Sequence, residues 1–108
     1  MAEAHSLVLV ITTVESATDA SSLARSLVDQ SLAACVQIDG PIISHYRWAG
    51  EVESKNEFRL MIKASFSTWP RLKEKLVKQH PYEEPEIVML AVDDATDGYR
   101  DWVIHQTA

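Results

Sequence analysis

Pro81 and Pro85 stand four positions apart, between a helical stripe and the unbroken apolar run of residues 87–92. Each proline lacks a backbone donor and fixes its own φ, and each pushes the residue before it, His80 or Glu84, out of the helical region. Residues 80–86 therefore form a stiff, extended connector that ends one element and aims its side chains in fixed directions. Those side chains include His80, Tyr82, Glu83, Glu84 and Glu86, set at the mouth of a strand expected to be buried. Titratable groups crowded at such a place mark a candidate site. The alternative is a solvated acidic loop that only joins helix to strand.

The remaining elements arrange themselves around this connector. Residues 6–13 are β-branched and apolar, the pattern of a strand covered on both faces or set centrally in a sheet. Candidate N-caps follow in residues 15–19, and Ala20, Leu23, Ala24, Leu27 and Val28 then recur at helical spacing, which predicts a helix over 17–30. Residues 32–38 return to strand character, bend at Asp39-Gly40-Pro41 and resume over 42–48. Ala49-Gly50-Glu51 reads as a hairpin turn into residues 52–64, where Phe58, Leu60 and Ile62 alternate with Glu57, Arg59, Met61 and Lys63. A long two-stranded arm is the consequence. Ser67 and Thr68 are N-cap candidates for a second helix carrying Trp69, Leu72, Leu76 and Val77, which stops at His80-Pro81. After the connector comes the strand at 87–92, and residues 93–97 cap a short last helix holding Tyr99, Trp102 and Val103.

The order βαββαβ with a terminal helix predicts an α+β, ferredoxin-like split βαβ sandwich: two helices on one face of a four-stranded antiparallel sheet. A chain of 108 residues with 46% hydrophobic residues makes one such domain over 1–108. The other sheet face stays open and apolar, with Met61, Tyr46 and Trp48 near it, which points to self-association.

Charge and composition exclude several function classes. A formal net charge of −6 argues against a nucleic-acid backbone or an anionic membrane as partner, and no run approaches the roughly 18–20 apolar residues of a membrane helix. Residues 1–6 carry no signal-peptide pattern, and the single Cys35 fits a reducing cytoplasm. No enzyme is expected. Acylphosphatases share this topology, but their anion-binding loop needs Gly and Arg, and Thr12-Thr13-Val14-Glu15-Ser16 has neither.

Several stretches together resemble one family. They are Leu32-Ala33-Ala34-Cys35-Val36, residues 46–53, residues 57–63, His80-Pro81-Tyr82-Glu83-Glu84-Pro85-Glu86-Ile87, and Tyr99 with Trp102. In that order, over nearly the whole chain, they are similar to the CutA divalent-cation tolerance proteins. The resemblance implies a cytosolic homotrimer of ferredoxin-like subunits, built like PII-type signalling trimers and linked to copper and other divalent metals, with no cofactor required. It also implies a metal site at Thr12, Gln79 and His80, the positions of the proposed copper ligands. One imidazole with a hydroxyl and an amide is a poor copper set, so weak binding resting on His80 is the expectation. The alternative for His80 is an imidazole that packs against Tyr82 and bonds a backbone group at the helix end.

The other singled-out residues carry open alternatives. Glu57, Lys63, Glu83 and Glu86 form either a charged cluster around a cleft or salt bridges between subunits, with Lys63 and Arg47 as the cations that Glu83 and Glu86 would seek. Tyr82, Trp48, Tyr99 and Trp102 line the same intersubunit cleft, and Tyr46, Trp48, Tyr99 and Trp102 are read as interface core rather than ligand stackers. Cys35 is expected as a small buried thiol, His45 as exposed, and His5 and His105 near disordered termini. The two function classes are a noncatalytic trimer that binds divalent metal weakly, and a PII-like regulatory trimer that senses a small molecule.

Overall fold

A computed structural model describes residues 6–107. The elements are β1 (Leu7–Val14), α1 (Ala17–Asp29), β2 (Cys35–Trp48), β3 (Glu51–Ser65), α2 (Trp69–Gln79), β4 (Ile87–Ala91) and α3 (Asp97–Gln106). The strands form one antiparallel sheet in the order β2-β3-β1-β4. This is the split βαβ arrangement expected from the sequence. His5 lies outside the described residues.

Local chemistry accounts for the boundaries. Ser16 caps α1 by accepting from the Asp19 N–H at 3.0 Å. At its other end Ser31 takes φ +57°, and the N–H groups of Ser31 and Leu32 return to the carbonyls of Val28 and Leu27. The two-residue turn Ala49-Gly50, with φ of +50° and +82°, has the left-handed conformation that joins tightly twisted hairpin strands. Gly40 marks the bulge in β2: its φ is +148°, and a Cβ there would stand 2.7 Å from a Phe58 ring carbon. Neither hydroxyl caps α2, because Phe66–Thr68 forms a 3-10 turn and Thr68 instead bonds the Ser65 hydroxyl at 2.8 Å. Nor does a side chain cap α3: Thr96 makes no capping bond, and Asp97 lies within the helix, paired with Arg100 at 2.9 Å. His105 belongs to the last turn of α3 rather than to a frayed tail.

The core lies between α1, α2 and one sheet face. Val8, Val10 and Val14 of β1 and Leu60, Ile62 and Ala64 of β3 meet Leu23 and Leu27 of α1 and Leu72 and Leu76 of α2. Val28 and Val77, assigned to the two helical stripes from spacing, are exposed at their margins. On the opposite face, α3 covers only one end of the sheet, where Val103 packs with Leu7 and Ala34. Cys35 is half-buried there, within hydrogen-bond reach of the Tyr99 hydroxyl.

Two departures from the sequence reading matter. The apolar strand β4 is an edge strand, half-buried on one face through Ile87 and Met89 and exposed on the other, where Val88 is 43% and Leu90 48% exposed. Its second apolar face has no cover among the described residues. Tyr46 and Trp48 lie on the arm, beyond the reach of β1, rather than over the open face. That face is instead crossed by two registered rows, Gln37-Met61-Ile11-Val88 and Cys35-Lys63-Leu9-Leu90.

Candidate functional site

The end of α2 sets the geometry. His80 is its C-cap, with φ −68° and ψ +135°, and its N–H still bonds the Leu76 carbonyl at 2.9 Å. Because Pro81 holds His80 extended, the ring turns inward to the end of β1. Its Nε2 lies 3.0 Å from the Thr12 hydroxyl and 3.0 Å from the Thr13 carbonyl, while Nδ1 accepts the Tyr82 N–H at 3.0 Å. An accepting Nδ1 requires the proton on Nε2, which donates to Thr13. Both ring nitrogens are thus engaged in a neutral, 8% exposed imidazole.

Tyr82 packs beside that ring, with centroids 4.9 Å apart, and its hydroxyl donates to Glu57 Oε2 at 2.7 Å. Glu57 is 5% exposed although it sits on the sheet face opposite the helical core. Its carboxylate also accepts from the Ser44 and Thr13 hydroxyls. Burial pushes its pKa up, but these hydrogen bonds and the charge of Lys55 together leave it below the usual glutamate value. Burial, then the Glu57 carboxylate, drives the Tyr82 phenol far above the ordinary tyrosine range. The Lys55 ammonium stands 4.0 Å from the Tyr82 ring centroid and 5.9 Å from that of Tyr46.

The residues singled out from sequence divide accordingly. Thr12 and His80 meet as expected. Gln79 does not join them; it is exposed and its amide oxygen accepts from Ser26 of α1 at 3.3 Å. Consecutive residues at a helix end diverge by about 100° around the axis, so the two cannot face one point. Among the described residues no group of three or more His, Cys, Asp or Glu is placed to hold a metal ion. Thr12, Gln79 and His80 therefore make a poor copper set: Gln79 is turned away, and a metal ion at His80 would have to displace a hydrogen bond that a ring nitrogen already makes.

Glu57 and Tyr82 are joined directly, but Glu83, Glu84 and Glu86 are exposed and no ion pair reaches them among the described residues. Lys63 bonds the Gln37 amide oxygen, and Arg47 points to the Gly50 carbonyl at 3.5 Å. Within the subunit, neither supplies the cation expected for Glu83 or Glu86. Glu86 acts electrostatically on Arg59, which is itself bound through two nitrogens to Asp39 at 2.7 and 3.2 Å. Trp48 is 56% exposed at the tip of the arm, and Tyr99 stacks on Trp102 at 5.8 Å along α3. Neither touches the His80–Tyr82–Glu57 group. Lys55, Ser44 and Thr13 escaped the sequence reading as site residues. Counting back from the Ala49-Gly50 turn pairs Ser44 with Lys55 and Ile42 with Glu57, and this register was the available signal.

Stability should fall as the site is acidified. Burial outweighs the Thr13 carbonyl and the Glu57 charge and lowers the His80 pKa, so the unfolded chain takes up that proton first. The contribution is complete above about pH 6.5 and is lost as pH falls through the folded value. Glu57, also lowered, contributes above about pH 4.3 and loses its part as pH falls further. Urea midpoints should therefore decline in two stages below about pH 6.5, and His80→Asn should remove the first. A parent profile flat from pH 7 to pH 4 would contradict the assignment.

Known proteins with this arrangement are similar along nearly the whole chain. Residues 8–106 match the family described as CutA1 divalent ion tolerance protein. The divalent-cation tolerance protein CutA of Thermus thermophilus is 40% identical over 99 residues, which cover 92% of this chain and 96% of that protein. Protein CutA of Mus musculus is 40% identical over 87 residues, covering 81% of this chain and 49% of the mouse protein. The solved structure of the divalent cation tolerance protein from Thermus thermophilus superposes with a TM-score of 0.91 at 39% identity, covering 94% of this chain and 99% of that one. Sequence and backbone agree over that length, and the chain belongs to the CutA1 divalent ion tolerance protein family.

Proposed function

We propose that the protein works in the cytoplasm as a homotrimer in the response to divalent metal ions, without a catalytic step, and binds metal only weakly in clefts between subunits. The open sheet face is the observation that supports assembly. Met61, Ile11 and Val88 form one row across it and Leu9 and Leu90 extend the next, all opposite the helical core. An apolar face of this kind is uncommon on a monomer. The number three rests on the family resemblance. In that assembly Trp48, Lys63, Glu83, Glu86, Tyr99 and Trp102 border the clefts, where exposed carboxylates and aromatic rings find partners that the subunit lacks.

Weak metal binding follows from the donor set. Copper uptake by metal-stripped protein should be weak, rest on His80 and fall as pH drops through the imidazole range, because a protonated ring cannot ligate. Thr12→Cys puts a thiolate where the hydroxyl now stands 3.0 Å from His80 Nε2. Copper affinity should then rise by more than the roughly 10–100-fold that outer-shell partners govern. Calorimetric titration checks this; an unchanged affinity contradicts it.

A different observation favours the second reading, a PII-like regulatory trimer that senses a small molecule. Lys55, Tyr82, Tyr46 and Glu57 present aromatic faces, an ammonium and a carboxylate at one place, a set suited to an organic group. Titration with copper, zinc and nucleotides separates the two readings.

A further inference from the structure

Lys55 holds its ammonium in an unusual place for a hairpin lysine. Such groups are strongly hydrated and flexible, and ordinarily extend into solvent. Here Nζ lies 4.0 Å from the Tyr82 centroid and 5.9 Å from that of Tyr46, on the arm face that also carries Glu57. Among the described residues no hydrogen bond or ion pair reaches that ammonium. What holds it is two aromatic faces and the field of a nearly buried carboxylate.

The walls do not depend on Lys55. Tyr82 is fixed by its hydrogen bond to Glu57, by its N–H bond to His80 and by the connector between Pro81 and Pro85. Glu57 is bonded by three hydroxyls, those of Tyr82, Ser44 and Thr13. Lys55 reaches these walls on a flexible four-carbon stem. We propose that Tyr82, Tyr46 and Glu57 form a receptor for a small organic cation, an alkylammonium or quaternary ammonium headgroup, and that Lys55 fills it when no ligand is bound. The proposal rests on the small-molecule reading above and names its ligand class.

The chemistry selects that class. Aromatic faces attract a cation through the ring quadrupole but offer no lone pair of the kind a divalent metal takes. The Glu57 oxygens are already committed to hydroxyl donors, so the carboxylate supplies field rather than a coordination bond. An anion would meet Glu57 and the nearby charge of Glu15, both of which act on Tyr82. A weakly hydrated organic cation loses least on entering, and a chain of net charge −6 draws it in.

Lys55 then acts as an internal competitor. If it fills the cage nine-tenths of the time, apparent affinity for an outside cation is reduced about tenfold. The test is proton NMR of the parent protein, titrated with tetramethylammonium chloride against sodium chloride at constant ionic strength. In free protein the Tyr82 ring current should hold the Lys55 ε-methylene signal upfield. Saturating tetramethylammonium should return it to the position of an exposed lysine, and sodium should not. Lys55→Ala should bind tetramethylammonium about tenfold more tightly than the parent, and adding Tyr82→Leu should remove that gain. A Lys55 signal unmoved by tetramethylammonium, or equal affinity in parent and Lys55→Ala, overturns the proposal. If an anionic nucleotide moves the same signal instead, the organic-cation class falls and the small-molecule reading stands; if neither probe binds, both fall.

Discussion

Met61→Lys should convert the proposed trimer into monomer and aggregate at micromolar concentration, while Met61→Leu should keep the parent mass. Met61 is flanked across the sheet by Ile11 and Gln37, and Ile11 is followed by Val88. It is half-buried in the single chain and central to the proposed interface. A lysine is a sharper probe than a glutamate because Arg59 and Lys63, two positions away on the same face, are cations that repel a lysine and would partner a glutamate. Burying an unpaired ammonium beside like charges costs several kcal/mol, enough to dissociate most assemblies of small subunits. Subunits parted in this way expose Val88 and Leu90 on an edge strand, which invites aggregation. Light scattering after size exclusion reads both outcomes, and a Met61→Lys protein of unchanged mass would move the interface elsewhere.

Glu57→Leu should lower stability by about 2–4 kcal/mol, whereas Tyr82→Phe should cost only about 1 kcal/mol. The leucine leaves the hydroxyls of Tyr82, Ser44 and Thr13 without their acceptor in a place where water is largely excluded. Phenylalanine removes a single donor and leaves Glu57 two others. For a chain of this size, the larger loss corresponds to a thermal midpoint lower by roughly 10 °C or more. Equal midpoints for Glu57→Leu and Tyr82→Phe would mean that the carboxylate is not the hub of this network.

The architecture was readable because its signals are local. β-branched runs, the Ala49-Gly50 turn, the break at Gly40-Pro41 and the His80-Pro81 stop each lie within a few residues of the feature they set. Met61 was legible in the same way, since period-two alternation assigns it a sheet face. The site was less legible because it depends on segments far apart in sequence. Alternation correctly put Glu57 on the face of Arg59 and Lys63, but its burial arises from Tyr82, which the connector brings across that end of the sheet. The connector carboxylates Glu83 and Glu86 drew attention by their place between the prolines and the strand and are exposed. Gln79 and His80 looked alike as neighbours, yet the helix ends between them and sends one toward Ser26 and the other toward Thr12. Strand β4 read as buried on both faces because its second face is apolar; in the subunit that face is exposed, which is why a further cover is proposed.

Assembly is the central claim, and the mass of the parent protein in solution tests it most directly. Sedimentation equilibrium at micromolar concentration should return three times the 12.1 kDa chain mass, without dissociation on dilution into the nanomolar range. A single species at 12.1 kDa would contradict the account, because the apolar sheet face would then be exposed to water in the working protein.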